Sequence, residues 1–347
     1  MTDARNTPHI NADEILDGIL AWVGIESPSN DGAAVNRMVD KVEGDFTPLG
    51  ANITRSPGRN GYGDMLTVRT PWGGDGPGIL VLGHLDTVHP KGTIDGALKV
   101  RREGDRVYGP GIYDMKGGGY LGFYVLRHLI RLGQQTELPV TFMFVPEEEI
   151  GSPTSRDAIE QAALANKYVL VTEPAREGGK IVTGRRGAAR YQIRVDGVPA
   201  HSGLRHQDGR SAIKEMARQV LRFEELTDYA RNLTLSVGLI EGGTGANVIP
   251  GHCTAELDVR VPDPEIAEEI CSVIESFDAF DPDTTLTITG GMNRPPYKKD
   301  EGIESLYQHA RTLAADIGFE LNDMATGGGS DGNFTAALGI PTLDGLG

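Results

Sequence analysis

The sequence predicts an α/β fold with a mixed, largely parallel sheet, into which a smaller α+β domain is inserted. A length of 347 residues fits two domains better than one. Apolar strand patterns alternate with helical patterns as far as Gly184, as is typical of a largely parallel sheet. The order then changes to β-α-β-β-α-β, the split βαβ (ferredoxin-like) arrangement. We therefore expect residues 1–184 and 297–347 to form one discontinuous domain and residues 185–296 to form the insertion.

The elements of the first domain follow from the spacing of its apolar residues. Ile15, Ile19 and Val23 recur at helical spacing after an Asn/Asp start, which predicts a helix from about Asn11 to Gly24. The same reasoning predicts helices over 32–50, 117–132, 155–166 and 303–317, and strands over 52–56, 65–69, 78–83, 140–145 and 168–172. Binding sites of such sheets collect at the carboxyl ends of the strands, so polar residues at those ends are the candidates for function.

The insertion combines strands that have one polar face with amphipathic helices. Strands are predicted over 188–195, 232–240, 252–261 and 284–290, and helices over 208–227 and 263–277. An open sheet with both helices on one side is the expected result. Arg294-Pro295-Pro296 is predicted to lead back to the first domain, which a glycine turn at Thr326–Ser330 and a following helix would complete.

Composition excludes several classes of partner. A formal net charge of −16 argues against nucleic acid and against a polybasic membrane anchor, although local arginines or metal ions could still attract an anionic substrate. No apolar run approaches a membrane span and the polar N-terminus lacks a signal-peptide core, so a cytoplasmic protein without a membrane partner is expected. Cys253 and Cys271 form no CxxC pair, so we do not expect them to bind zinc, and nothing supports a disulfide between them.

Polar residues cluster at the ends of the predicted strands of the first domain. His84 and Asp86 end one strand, the run Glu147–Glu149 follows a second, Glu173 follows a third, and Asp114 lies in a glycine-rich turn before a helix. Each has a structural alternative: a core histidine, a solvated acidic run, a strand-closing turn or a helix cap. Carboxylates gathered at one sheet edge repel each other unless cations neutralise them, so together these residues predict a hydrolytic metal centre.

The motifs GHLDTV, GPGIYDMKGG, PEEEIGS, VTEP and GVPAHSG resemble, in order and spacing, the signature of the M20 family of zinc amidohydrolases and peptidases. The resemblance runs from about residue 10 to the end and is nearest to the glutamate carboxypeptidase and acetylornithine deacetylase branch. It implies hydrolysis of an amide bond beside a free carboxylate, in an N-acyl amino acid or a short peptide. The alternatives are a deacylase of amino-acid biosynthesis (acetylornithine, acetyl-lysine or succinyl-diaminopimelate type) and an inactive metal-binding scaffold.

The resemblance implies two zinc ions per subunit and names their ligands. His84 and Glu173 would bind the first ion, Glu149 the second, and Asp114 would bridge the two. Co²⁺ or Mn²⁺ could occupy the same oxygen and nitrogen ligands. The peptide bond between Asp114 and Met115 would be cis, as in the family.

The resemblance also implies catalytic roles. Glu148 would be the general base that takes a proton from the attacking water and hands it to the leaving amine, and Asp86 would orient the ring of His84. His201, which on its own reads as a turn residue, would polarise the scissile carbonyl, often from the partner subunit of a dimer. A homodimer formed through the inserted lid domain is therefore expected.

Substrate recognition is implied for the matching pair Asn247 and Arg260, which would bind the free carboxylate. For Arg260 an ion pair with a neighbour such as Asp258 is an equally good prediction. Arg185 and Arg186 are weaker candidates for the same task. The turn at residues 327–331 resembles the substrate-side loop of the family, and we assign it no sharper role.

One departure from the family concerns the second zinc ion. In the family this ion takes a final histidine shortly after a motif like that at Pro341–Gly347, and the present sequence stops at Gly347. We expect truncation of a longer chain, rather than a natural variant with a defective second site. The histidines that stand in no matching position, and that we do not assign to the site, are His89, His206, His252 and His309.

Overall fold

A computed structural model describes residues 10–347 of the chain. The α-helices are α1 (Ala12–Val23), α2 (Gly32–Phe46), α3 (Gly117–Arg131), α4 (Arg156–Leu164), α5 (Ala212–Glu224), α6 (Pro264–Glu275), α7 (Glu301–Asp316) and α8 (Gly332–Ala337). The strands are β1 (Asn52–Ser56), β2 (Met65–Arg69), β3 (Ile79–His84), β4 (Arg101–Glu103), β5 (Arg106–Tyr108), β6 (Val140–Val145), β7 (Tyr168–Val171), β8 (Ile181–Arg185), β9 (Gly187–Asp196), β10 (Ala200–His201), β11 (Thr234–Gly242), β12 (Val248–Ile249), β13 (His252–Val261), β14 (Thr285–Arg294), β15 (Asp323–Thr326) and β16 (Thr342–Leu343).

The chain divides into two compact units. The first comprises the chain up to Thr183 together with Lys299–Met324 and Ser330–Gly347, and the second comprises Gly184–Lys298 and Ala325–Gly329. Compared with the predicted division, the second unit begins one residue earlier, ends two residues later and includes a short segment of the glycine turn. That segment groups with the second unit because Arg185 donates hydrogen bonds to the carbonyl oxygens of Gly328 and Gly329.

A six-stranded sheet with the order β1-β2-β6-β3-β7-β16 forms the centre of the first unit. The β6-β3, β3-β7 and β7-β16 pairings are parallel, whereas the β1-β2 and β2-β6 pairings are antiparallel. The prediction of a mixed, largely parallel sheet is therefore confirmed. Strands β6, β3 and β7 are adjacent and parallel, so their carboxyl ends meet at one edge of the sheet.

Helices cover both faces of this sheet, because its central strands are apolar on both sides. Phe142 and Phe144 of β6 pack with α1, α2 and α3, whereas Met143 and Val145 pack with α4 and α8 on the opposite face. This alternation is the two-residue period of a strand. The two buried layers fix the sheet edge that carries the polar residues.

The start of α3 lies directly against the end of β7. A Cβ atom at Gly118 would lie 1.9 Å from the carbonyl oxygen of Thr172, so only glycine permits this approach. The close packing brings the turn that carries Asp114 next to Glu173.

The second unit contains an antiparallel four-stranded sheet with the order β11-β13-β9-β14. Along the chain its main elements follow as β9, α5, β11, β13, α6 and β14, which is the β-α-β-β-α-β order. One core joins the buried face of this sheet to both helices and includes Tyr191, Phe223, Leu257 and Ile270. The opposite face carries polar side chains such as Gln192.

The predicted elements agree with the structure to within a few residues at their ends. The helix predicted over 208–227 is the least accurate, since α5 begins only at Ala212, after the short 3-10 helix His206–Asp208. Both cysteines are free thiols. Among the residues that the structure describes, no helix combines the length and the hydropathy needed to span a bilayer. The expectation that the N-terminus has no signal-peptide core falls in part on residues 1–9, which lie outside the described residues.

Candidate metal centre

Five candidate residues of the first unit converge at one edge of its sheet. His84 is the last residue of β3, Glu173 follows β7, and Glu148 and Glu149 lie in a short 3-10 helix after β6. Asp114 joins them from the turn before α3, and its peptide bond to Met115 is cis. The structure thus brings together every side chain that the sequence analysis assigned to metal binding.

The Nε2 atom of His84 is the common point of the cluster. It lies 3.0 Å from Oδ1 of Asp114, 3.7 Å from Oε1 of Glu173 and 3.9 Å from Oε2 of Glu148. Two groups of three side chains offer ligand atoms within 4.8 Å of one another: His84, Glu148 and Glu173, and His84, Asp114 and Glu149. Only Asp114 is substantially exposed, so the cluster is open to solvent on its side.

Asp86 links His84 to the backbone of Glu148 and Glu149. This fully buried carboxylate accepts hydrogen bonds from the backbone N–H groups of Glu148 (3.1 Å) and Glu149 (3.2 Å) and from the hydroxyl of Ser29 (2.6 Å). The Nδ1 atom of His84 lies 3.0 Å from the backbone oxygen of Asp86 and 3.3 Å from its Oδ1 atom. Asp86 therefore fixes both the ring of His84 and the backbone that carries the glutamates.

Ionisation in the cluster is dominated by burial and mutual repulsion. Burial raises the pKa of the Glu149 carboxyl to about 7. The charge of His84 opposes this increase, and the charges of Asp114 and Glu148 add to it. Burial likewise raises the pKa of Glu173 well above its usual value, and the charge of Glu148 adds to the increase. Crowded carboxylates of this kind become favourable when a cation sits between them.

The same acidic neighbours favour the charged form of His84, whereas they disfavour the charged form of the glutamates. Burial alone would lower the pKa of its imidazole, but hydrogen bonds with Asp114 and Asp86 raise it well above the usual value. A positive charge at this point is therefore favoured. One imidazole nitrogen and several carboxylate oxygens are also the donors that Zn²⁺ and similar ions select, so the residues present fit a metal centre.

Two supporting residues were not identified from the sequence. Glu147 is fully buried and accepts hydrogen bonds from the backbone and hydroxyl of Thr154 and from the hydroxyl of Ser155, so it anchors the loop rather than facing the cluster. Lys116 is also buried, and its Nζ donates to the carbonyl oxygen of Ile25 at 2.5 Å. No sequence signal distinguished the role of Glu147 from the roles of the two glutamates that follow it. Lys116 could have been identified, because it lies in the motif GPGIYDMKGG.

His201 and Asn247 lie in the second unit, on two short paired segments. His201 of β10 pairs with Val248 of β12, and the N–H of Ser202 donates to the backbone oxygen of Asn247 at 3.0 Å. The Nδ1 atom of His201 accepts hydrogen bonds from the N–H groups of Gly203 (3.1 Å) and Leu204 (3.2 Å). The neutral ring therefore carries its proton on Nε2, where it can donate to another group.

The arginine candidates are all engaged within the protein. Arg260 makes a bidentate ion pair with Asp258, with N–O distances of 2.7 and 3.0 Å, as the alternative prediction for this residue had it. Arg185 is buried, and the backbone N–H of Arg186 donates to the oxygen of Thr326.

The remaining predicted features lie outside the cluster. In the turn at 327–331, Asp331 accepts from the hydroxyl of Ser152, and the preceding Ser330 donates to Asp344. Within residues 10–347, the two groups around His84 are the only sets of three His, Cys, Asp or Glu side chains suited to a metal ion. The four histidines that we did not assign to the site belong to neither group. Cavities of about 460 and 490 Å³ lie on the open sheet face of the second unit, but their linings hold no comparable set of titratable groups.

Comparison with known proteins agrees with this arrangement. Residues 80–347 match the model of peptidase family M20/M25/M40. Carboxypeptidase G2 of Pseudomonas sp. (strain RS-16) is 31% identical over 338 residues, which cover 96% of this chain and 81% of that protein. The fold resembles the crystal structure of aminopeptidase PepT from Bacillus cereus, with a TM-score of 0.76, 23% identity and coverage of 96% and 90% of the two chains.

A Bacillus subtilis protein described as a dinuclear metal-binding peptidase of the M20 family has the same fold, with a TM-score of 0.63, 14% identity and coverage of 95% and 87%. The family match spans most of the chain, and the carboxypeptidase match spans nearly all of it. The chain therefore belongs to peptidase family M20/M25/M40 and is a hydrolase of the metallopeptidase type.

Proposed function

We propose that this protein is a zinc-dependent hydrolase that cleaves the amide bond of an N-acyl amino acid or short peptide beside a free carboxylate. The observation that carries the proposal is the convergence of four carboxylates around the imidazole of His84 at the carboxyl edge of the sheet. The similarity to a carboxypeptidase over 96% of the chain supports the same class of reaction.

The proposed ligands are His84 and Glu173 for one ion and Glu149 for a second, with Asp114 shared between them. When bound, such ions supply Lewis-acid polarisation of the substrate carbonyl and lower the pKa of the attacking water. The protein itself fixes the geometry: Asp86 holds the imidazole of His84 through Nδ1 and leaves Nε2 turned toward the carboxylates.

Glu148 is the proposed general base. Its side chain is largely buried beside His84, while its backbone is fixed by the hydrogen bond to Asp86. The carboxylate would accept a proton from the attacking water and return it to the leaving amine. Burial of Glu148 would also keep bulk water from competing for that proton.

His201, Asn247 and Arg260 are the proposed contacts to the substrate. Because Nδ1 of His201 accepts two backbone hydrogen bonds, its Nε2–H group would donate to the scissile carbonyl oxygen. Asn247 and Arg260 would bind the free carboxylate. For Arg260 this requires the substrate to share the guanidinium with Asp258 or to replace that partner.

Metal removal tests the proposed function. We expect the purified protein to hydrolyse N-acetyl amino acids or dipeptides, to lose at least about 99% of that activity after dialysis against a chelator, and to recover it with Zn²⁺. Parallel assays with N-acetylornithine and N-succinyl-diaminopimelate identify the biosynthetic deacylase if those substrates are strongly preferred. Activity that survives complete metal removal would refute the proposal.

A homodimer formed through the second unit is also proposed. The outward face of α5 carries Ile213, Ala217 and Leu221 at intervals of four residues, all of them exposed. β11, the edge strand of the neighbouring sheet, exposes Leu239 and Ile240. An apolar helix face beside an open strand edge is a surface that a second copy can cover.

The variant Leu221→Glu tests this dimer. A carboxylate in an apolar interface should weaken the dimer at least about tenfold, because like charges of two subunits would meet without water. Sedimentation velocity at several concentrations measures the effect. The matched control is Leu313→Glu, an exposed helical leucine of the first unit, which should not change the association. A wild-type protein that is monomeric at every concentration would contradict the proposal.

A further inference from the structure

Tyr113 is an exposed aromatic residue directly beside the metal centre. Its side chain precedes Asp114 in the chain and remains 63% exposed, although most aromatic side chains of this unit are buried. The hydroxyl is not free, because it donates a hydrogen bond of 2.8 Å to the carbonyl oxygen of Ala175. Tyr113 therefore holds a defined position while it presents its ring to solvent.

The hydrogen bond of Tyr113 joins the two segments that carry candidate ligands. One end of the side chain is next to Asp114, and Ala175 at the other end follows Glu173 by two residues. The phenol side chain consequently spans from the turn before α3, which carries Asp114, to the segment after β7, which carries Glu173.

The turn that carries Tyr113 is also held by hydrogen bonds. The backbone N–H of Lys116 donates to the oxygen of Gly111 at 2.9 Å, and the buried Nζ of Lys116 donates to Ile25. A ring held at both ends loses little conformational entropy when another group packs against it, so it is pre-organised for binding.

Further apolar side chains follow the other site segments. Val88 is 66% exposed and stands two residues after Asp86, and Ile150 is exposed directly after Glu149. Apolar groups placed around a few polar reactive groups are typical of a substrate site. Exposed apolar side chains thus stand in three of the segments that carry site residues, which favours a substrate with an apolar group near the reacting bond.

We infer that Tyr113 is a specificity-determining residue, whose ring packs against an apolar, preferably aromatic, group next to the scissile amide. The inference rests on the proposed function and names the substrate class that the site selects. Stacked or edge-on aromatic pairs add to the effect of burial alone, so an aromatic group gains most from this contact. The group could belong to the acyl part or to the amino-acid part of the substrate.

The test compares three substrates: N-acetylalanine, N-acetylphenylalanine and N-benzoylalanine. The second carries the aromatic ring on the amino-acid side and the third carries it on the acyl side. We expect Tyr113→Ala to lower kcat/KM for at least one aromatic substrate, relative to N-acetylalanine, by about three- to tenfold. Tyr113→Phe, which keeps the ring, should retain the wild-type ratio to within about twofold. Tyr229→Ala, at an exposed tyrosine of the second unit, is the matched control and should change no ratio.

The outcomes separate this inference from the proposed function. Hydrolysis by the wild type, with the same substrate ratios in Tyr113→Ala, would overturn the inference alone, as would a Tyr113→Phe variant that loses selectivity as fully as Tyr113→Ala. If the zinc-loaded wild type hydrolyses neither these three substrates nor the dipeptides of the metal-removal assay, the proposed function falls and the inference falls with it. Hydrolysis of dipeptides without hydrolysis of any of the three would overturn the inference alone. An unchanged metal content in Tyr113→Ala excludes an indirect effect through the metal centre.

Discussion

Replacement of Glu148 by glutamine should abolish most turnover and leave metal binding intact. Glutamine has nearly the same shape but cannot take a proton from water, and general-base catalysis contributes about 10²- to 10⁴-fold. We therefore expect kcat to fall by about that factor. The backbone hydrogen bond from Glu148 to Asp86 does not involve the side chain, so the loop should keep its conformation.

The control for this variant is Glu177→Gln, an exposed glutamate close in sequence to Glu173. It should retain wild-type kcat and metal content. Steady-state kinetics and elemental analysis of the same preparations measure both quantities. A Glu148→Gln enzyme with more than a tenth of wild-type kcat, or one that has lost its metal, would contradict the role of general base.

Replacement of Asp114 by asparagine should remove metal and activity together. The carboxylate lies 3.0 Å from Nε2 of His84 and belongs to one of the two candidate ligand groups. Metal ions lower the barrier of hydrolysis by several kcal/mol, so their loss should reduce kcat/KM by about 10³-fold or more. The rise in Tm that Zn²⁺ produces in the wild type should shrink in parallel, because that rise measures binding to the folded state.

The variant Asp86→Asn gives a graded comparison with Asp114→Asn. Asp86 acts through His84 and through the backbone of Glu148 and Glu149, so we expect a smaller loss, about 10- to 100-fold in metal affinity. If Asp114→Asn retained full metal content and activity, Asp114 would be only a hydrogen-bond partner of His84. Equal losses in the two variants would contradict the division between ligand and support.

The positions of the site residues could be predicted because parallel strands fix them. His84 ends β3 and Glu173 follows β7, and adjacent parallel strands must bring such residues to one edge. The roles within the acidic run could not be derived from spacing. Glu147 turns inward to Thr154 and Ser155, whereas the next two residues turn toward His84, and only the folded loop decides between them.

The fold was predictable where apolar periodicity extends over five or more residues. Strands β1, β2, β6 and β13 have the predicted ends. Seven short strands of two to five residues were not predicted, because they carry too little pattern: β4, β5, β8, β10, β12, β15 and β16. Hydrogen bonds between segments distant in sequence define most of these short strands. The pairing of β10 with β12 is one example, and it brings the segments that carry His201 and Asn247 together. The partner of Arg260 could not be predicted either, because a strand position two residues from Asp258 suits both an ion pair with Asp258 and a contact with the substrate.

The location of the metal ions is the most direct test of the central claim. Crystals of the wild-type protein grown with Zn²⁺ should give anomalous density about 2.0–2.1 Å from Nε2 of His84, with Glu173 and Asp114 beside it. A second peak next to Glu149 would identify the second ion. Zinc density elsewhere on the molecule, with none at His84, would contradict the account.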